Sequence, residues 1–376
     1  MKSHFFCISL GLCLLGGCND HKKSAPRAPA KASTPSTASS PLASAALGLS
    51  GPYVHANLAV YLVHGEDKVK DQKYLTLQEA LKQKKIVVHE TGNVQELAVE
   101  NVSEDVVYVQ AGDIVRGGKQ DRVVVTDLLV SAKSGKVPLK SFCVEQGRWN
   151  GRGREDASKF KSSQYCVPGN RMKLAVKKRK NQSDVWREVA DNQAALAKKI
   201  GRKVTDGDSP TSLELTMENK AVKDSVADHM GTLTTIIDDH DDVVGYVASI
   251  NGKLNCADVY SSNRLFEKLW PKLLESCAVE AVAESNGESV TSPKLEVVRS
   301  FLDDADRGKA AEEEISDRVT SITKESDDHI LFEMVDRKHS GWIHRNYLNK
   351  KYKGRTSRAT SGGHAFINRQ QIDESP

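Results

Sequence analysis

Two short blocks hold the residues best equipped for chemistry. The first is Gly117-Gly118-Lys119-Gln120-Asp121-Arg122, preceded by Gly112-Asp113, and the second is Cys143-Val144-Glu145-Gln146-Gly147-Arg148-Trp149. Glycine reaches positive φ angles that other residues avoid, so each block should turn sharply and present several hydrogen-bonding groups side by side. Asp113, Lys119, Gln120, Arg122, Glu145, Gln146, Arg148 and Trp149 therefore form the candidate ligand-binding set. Lys119, Arg122 and Arg148 suit a carboxylate or phosphate, and Glu145 suits a general base in hydrolysis of an anionic substrate. A third reading is structural, with the same groups holding turns together.

Other chemistries fit less well. Gly118-Lys119 invites comparison with a phosphate loop, but GxxxxGK[ST] needs glycine where Asp113 stands and a hydroxyl where Gln120 stands. The segment 122–130 reads as strand, so no helix N-terminus is there to receive a phosphate. Cys143 with His229 or His344 would make a nucleophile pair, yet nothing local lowers the thiol pKa; a buried thiol or a disulfide to Cys166 is the expectation. The run Asp238-Asp239-His240-Asp241-Asp242 misses the calcium-loop pattern because Val243 stands where a ligand is needed, so it reads as a solvated acidic turn. No CxxC spacing occurs, and neither a metal site nor a cofactor is expected.

These blocks need a scaffold, and the chain is long enough for one. It has 376 residues, 39% hydrophobic and 28% charged, with a mean hydropathy of −0.47, which describes a globular body with polar appendages. A net charge of +4 gives no reason to expect a nucleic-acid partner. Beyond residue 20 no apolar run approaches the roughly 20 residues that span a bilayer. At the amino end, Lys2 and the apolar stretch 5–15 read as an export signal. Leu15-Gly16-Gly17-Cys18 resembles the lipobox of bacterial lipoproteins, in which the cysteine is acylated. Residues 1–18 are thus expected to be a lipoprotein signal, with Cys18 anchoring the protein to a membrane of the cell envelope. Asn19 after it favours the outer membrane in a diderm host.

Residues 19–50, rich in alanine, serine and proline, read as a disordered tether, and 350–376 as a disordered basic tail. Between them lies a single α+β domain, 51–349. Its β-rich half, 51–147, holds strands at 57–63, 86–90, 96–100, 106–109, 122–130 and 137–144, joined by short turns and so largely antiparallel, as a sheet or sandwich. Thr76 and Glu79 form a capping box ahead of a short helix. Residues 148–182 read as a basic loop. The helical half, 183–349, carries a helix capped by Ser183 and stopped by Gly201, another over 221–237, a third at 265–281 kinked by Pro271, and a fourth at 295–305. It also carries a small sheet, including a type I′ hairpin at Asn251-Gly252. Cys143, Cys166, Cys256 and Cys277 remain for disulfides in any pairing.

Taken in order, Tyr74-Leu75-Thr76-Leu77, Glu79-Ala80-Leu81, Gly112-Asp113, the two polar blocks and Leu269-Trp270-Pro271-Lys272-Leu273-Leu274, with Phe266 before them, resemble the ARG and rhodanese-phosphatase-superfamily-associated protein domain. The resemblance covers about 52–350 and treats both halves as one domain. It implies no particular reaction, substrate or catalytic residue. Its polar blocks are the same residues that the chemistry singled out, which leaves an unidentified ligand or protein partner as the expectation.

Overall fold

Strands whose residues are apolar at every position must be covered on both faces, and that requirement organises the fold. The computed structural model describes residues 46–354 except 71, 154 and 340. The expected signal, Cys18 and most of the tether lie outside the described residues, as does 355–376 of the tail. The elements run β1 (Gly48–His55), β2 (Leu58–His64), β3 (Tyr74–Thr76), α1 (Leu77–Lys82), β4 (Ile86–Glu90), β5 (Glu96–Asn101), β6 (Val106–Val109), β7 (Asp113–Gly117), β8 (Arg122–Val124), β9 (Leu128–Val130) and β10 (Gly135–Cys143). They continue with β11 (Phe160–Cys166), α2 (Asn170–Leu174), α3 (Gln182–Ile200), α4 (Leu213–Glu218), α5 (Lys220–Leu233), β12 (Val243–Ile250), β13 (Lys253–Tyr260), α6 (Asn263–Glu284), α7 (Leu295–Asp306), β14 (Lys309–Glu314), β15 (Val319–Glu325), β16 (His329–Asp336) and β17 (Gly341–Asn349). The fold is α+β.

The largest sheet has eight antiparallel strands in the order β1-β2-β12-β13-β17-β16-β15-β14. In β2, Leu58, Val60 and Leu62 pack with Leu265, Phe266 and Trp270 of α6, while Ala59, Tyr61 and Val63 pack with Val298, Phe301 and Leu302 of α7. The period-two alternation of a strand thus sends alternate residues into two separate cores. The sheet of the second half is larger than the small one expected, because β1 and β2 leave the first half to join it.

A six-stranded antiparallel sheet, β11-β7-β8-β10-β5-β4, and a mixed three-stranded sheet, β3-β6-β9, in which β3 runs parallel to β6, form the other body. Val115 and Val124 of the six-stranded sheet face Val107, Val109 and Leu128 of the smaller sheet. Ile114, Val123 and Phe142 face the other way, against Val185 and Val189 of α3 and Val222 and Val226 of α5. The single strand expected over 122–130 is two: β8 and β9 lie in different sheets. Asp127, in the linker between them, accepts the Ala111 amide at 2.7 Å and so ties that linker to the one between β6 and β7.

Local signals hold where they name a hydrogen bond. The Glu79 amide donates to Thr76 Oγ1 at 3.2 Å, and the Thr76 amide donates to Glu79 Oε2 at 2.9 Å. Asn251 and Gly252 take φ of 49° and 72° between β12 and β13. Gly201 ends α3 at φ 72°, but the cap at its start is Asn181, whose side chain accepts from the Asp184 amide, not Ser183. Residues 148–182 are not one loop. They contain β11, an edge strand on β7, and α2, which continues as a π-helical turn over Ala175–Arg179. The folded body also begins earlier than 51, since Gly48 pairs with His64, and reaches past 349, since buried Tyr352 donates to Glu284 Oε2 at 2.5 Å.

Candidate functional site

The turn between β7 and β8 and the end of β10 meet at Glu145. Gly117 (φ 111°) and Gly118 (φ 55°) make that turn possible, for a Cβ on either would lie 2.6 Å from the Lys159 carbonyl or 2.3 Å from the Phe160 ring. Buried Glu145 accepts from Arg148 Nε at 2.6 Å on one oxygen and from Arg148 Nη2 at 2.6 Å on the other, a bidentate pair. The Asp121 amide adds a third bond at 3.1 Å and the Ser209 hydroxyl a fourth. Asp121, wholly buried, accepts from the Gly117 amide at 2.8 Å, from Arg152 Nη1 at 3.0 Å and from the Ser212 hydroxyl at 3.1 Å. The chain of charges runs outward from Arg152 to Glu155 at 3.3 Å, to Arg116 at 3.4 Å, and on to Glu218 at 2.5 Å.

Burial alone would raise the Glu145 carboxyl, but Arg148, Ser209 and the Asp121 amide hold it below the ordinary value. Burial and the neighbouring Glu145 charge push Asp121 up, against the pull of Arg152. Two carboxylates between two guanidiniums make a compact, nearly neutral network, and both Glu145 oxygens are occupied within it.

Around this network lie the other expected site residues. Gln120 donates to the Glu145 carbonyl at 2.8 Å. Arg122 is wholly buried, donates to the Gln120 carbonyl at 3.1 Å and lies 3.8 Å from Glu90. The Trp149 ring, 40% exposed, has Lys119 Nζ at 5.0 Å and Arg122 Cζ at 5.7 Å from its centroid, within cation–π range. Gln146 is exposed, with its amide and carbonyl both bonded to the Thr211 hydroxyl at 3.0 and 2.7 Å. Asp113 stands apart, paired with buried Lys272 of α6 and accepting the Gln110 amide at 3.1 Å. The segment carrying Ser209, Thr211 and Ser212 gave no sign of its role in the sequence. Ser212 is legible only afterwards, as the N-cap of α4, accepting the Leu215 amide at 3.1 Å.

A second polar centre went unforeseen. His344, buried on β17, has Nδ1 2.9 Å from Asp127 and Nε2 3.1 Å from Asp258. Asp258 also accepts from Asn346 at 2.8 Å and Tyr246 at 2.8 Å, and Lys173 reaches it at 3.4 Å. Lys177 donates to Asn346 at 2.9 Å. Tyr260 stacks on His344 with centroids 4.6 Å apart. Burial opposes every charge here, yet Asp258 is held well below the usual carboxylate range by Lys173 and His344, and His344 is raised by its two aspartates. For Lys177 burial wins and the ammonium is lowered. The one sequence signal was a polar run inside strands otherwise largely apolar: Asn255-Cys256 with Asp258, and His344-Arg345-Asn346. A cavity of about 10 Å³ beside Lys173 and Lys177 offers room for roughly one water.

Among the described residues Cys143, Cys166, Cys256 and Cys277 are free and buried. No disulfide joins Cys143 to Cys166, because their strands, β10 and β11, are separated in the sheet by β8 and β7. Burial raises the Cys143 thiol, and both ring nitrogens of His344 are held by aspartates, so no Cys143–His344 pair forms. No described helix is long and apolar enough to cross a membrane.

No curated protein and no solved structure matches this chain. The family model of the ARG and Rhodanese-Phosphatase-superfamily-associated Protein domain matches residues 46–348, a span that takes in both polar centres and every strand but the last residue of β17. The chain belongs to that family.

Proposed function

We propose that this is a lipid-anchored binding domain of the bacterial cell envelope, which engages an anionic ligand or partner on the ledge formed by Trp149, Lys119 and Gln146. The observation that carries this reading is the contrast within the two blocks. Glu145, Arg148, Asp121 and Gln120 spend their hydrogen bonds on one another, whereas Trp149 remains 40% exposed with the Lys119 ammonium beside its ring. A pre-positioned tryptophan on a locked polar base is the kind of anchor that dominates binding energy, and the ammonium beside it offers charge to an anion. Glu145 serves better as the strut of that base than as a proton acceptor, since its bonds hold it ionised and leave neither oxygen open.

The test is a thermal-shift screen of the folded body against anionic metabolites, phosphoesters and cell-wall fragments, repeated with Trp149→Ala and Glu145→Ala. A ligand that stabilises the wild type by RT ln(1 + [L]/Kd) should not stabilise Trp149→Ala, whose own melting temperature stays near that of wild type. Glu145→Ala should melt early without any ligand. A ligand that still stabilises Trp149→Ala would place binding elsewhere.

A further inference from the structure

We propose that His64, His240 and Asp242 form a binding site for a divalent transition-metal ion of the zinc class. The run 238–242 looked incomplete as a metal loop because its own sequence lacks a further ligand. Strand pairing supplies one from far away. Val243, the first residue of β12, pairs with His64, the last of β2, and the Gly65 amide donates to the Asp242 carbonyl at 2.9 Å. That pairing sets the loop beside His64. His64 Nδ1 lies 2.9 Å from Asp242 Oδ1, the two histidine rings are 5.5 Å apart at 82°, and one ligand atom from each of the three residues lies within 4.8 Å of the others.

Zinc bound at about 2.0–2.2 Å by nitrogen and oxygen in a tetrahedral site sets its ligand atoms roughly 3.3–3.5 Å apart. Reaching that spacing takes closure of no more than about 1.5 Å from 4.8 Å and a slight opening of the His64–Asp242 pair from 2.9 Å, which half-buried His64 and His240 and exposed Asp242 have room to make.

A second observation concerns the far side of the His64 ring. Its Nε2 lies 2.7 Å from the Ser50 hydroxyl on β1. When Nδ1 is given to a metal, Nε2 carries the ring proton and donates it to Ser50, the outer hydrogen bond that orients a metal-binding imidazole. The donor set also selects the ion. Two imidazoles and one carboxylate, open to water on one side, suit zinc, whereas calcium and magnesium favour oxygen ligands throughout. Asp238, Asp239 and Asp241 beside the site add a negative field that draws cations in.

Isothermal titration of the metal-free protein, prepared without a histidine tag, with zinc sulfate tests the site directly. Stoichiometric binding is expected, weakened about 10-fold or more in His64→Ala and in His240→Ala, and weakened also in Asp242→Asn. Ser50→Ala should weaken zinc binding with at most a small fall in the metal-free melting temperature, and Ser50→Thr, which keeps the hydroxyl, should restore zinc affinity, which separates positioning of the ring from folding. Cobalt substitution should give the visible absorption of a tetrahedral nitrogen and oxygen site. Zinc affinity unchanged in both histidine variants would overturn the proposal, as would calcium binding as tightly as zinc or no stoichiometric binding at all.

Discussion

A carboxyl group on α4 sets one pH response of this protein. Glu214 is buried and accepts from the Ser163 hydroxyl at 2.6 Å; burial pushes its pKa up to about 8, with Asp121 and Glu218 adding to the shift. A folded value raised above the unfolded one means that its contribution is fully present below the ordinary glutamate pKa and is lost as pH rises through about 8. The melting temperature of the wild type should therefore fall between pH 5 and pH 9, and Glu214→Gln, neutral throughout, should fall less and exceed wild type at the alkaline end. Calorimetric scans across that range check it, and an equal fall in both proteins would refute it. Glu145 behaves oppositely, since its partners hold its carboxyl below the ordinary value; removing it takes the bidentate bonds from Arg148, which keeps Asp121 at 3.6 Å and backbone carbonyls, so Glu145→Ala should cost about 2–3 kcal/mol in urea unfolding, against less than about 1 kcal/mol for Trp149→Ala. The sequence made Glu145 and Trp149 visible as candidates, but not their division of labour. Which of two neighbouring polar residues faces in depends on Ser209 and Ser212, partners more than sixty residues away that no local spacing reveals.

Elements, not residues, explain why the second polar centre stayed hidden. α2 and the π-helical turn after it bring Lys173 and Lys177 inward, four positions apart on one face, to meet β13 and β17 where Asp258 pairs with Asn346 and Tyr260 with His344. A lysine-rich stretch read in isolation is a solvated loop; it becomes a buried wall only when Asp127 and Asp258 are known to lie opposite. Helices and turns that carry their own hydrogen-bond code, such as the capping box at Thr76 and the hairpin at Asn251-Gly252, were legible for the converse reason. His344 yields the prediction at this scale. Asp127 and Asp258 raise it against the cost of burial, so the stability it contributes is complete below the ordinary histidine pKa of about 6.5 and is lost as pH rises through the raised folded value. His344→Gln should cost about 3 kcal/mol or more near pH 6 and should lack that alkaline decline. Denaturant titrations at a series of pH values would show it, and parallel curves for the two proteins would count against it.

The whole molecule is threaded so that neither half closes without the other. β2, buried along both faces, lies between β1 and β12, and α6 serves both the core under the eight-stranded sheet and the core beside α3 and α5. Residues 51–147 alone and 183–349 alone should each fail to give a cooperative unfolding transition or dispersed amide resonances, while the two together in one chain do. A cooperative transition from either fragment would show a separable domain. At this scale the proposed anchor also makes a prediction: metabolic labelling with a fatty-acid analogue should mark the full-length protein in a bacterial host and leave Cys18→Ser unmarked.

The placement of β1 has a mechanical meaning. It is the outermost strand of its sheet, and its first residue, Gly48, is joined to His64 in a ladder that is interrupted between Ser50 and Tyr53. A pull arriving from the amino end meets a short first segment, then a gap in register, then a second segment from Tyr53 to His55. Tension directed across the sheet would peel the first segment while the second still holds, and tension directed along the strand would load both at once. Peeling from the amino end would thus give one short step at the leading edge before force reaches the core, whereas loading along the strand would give none.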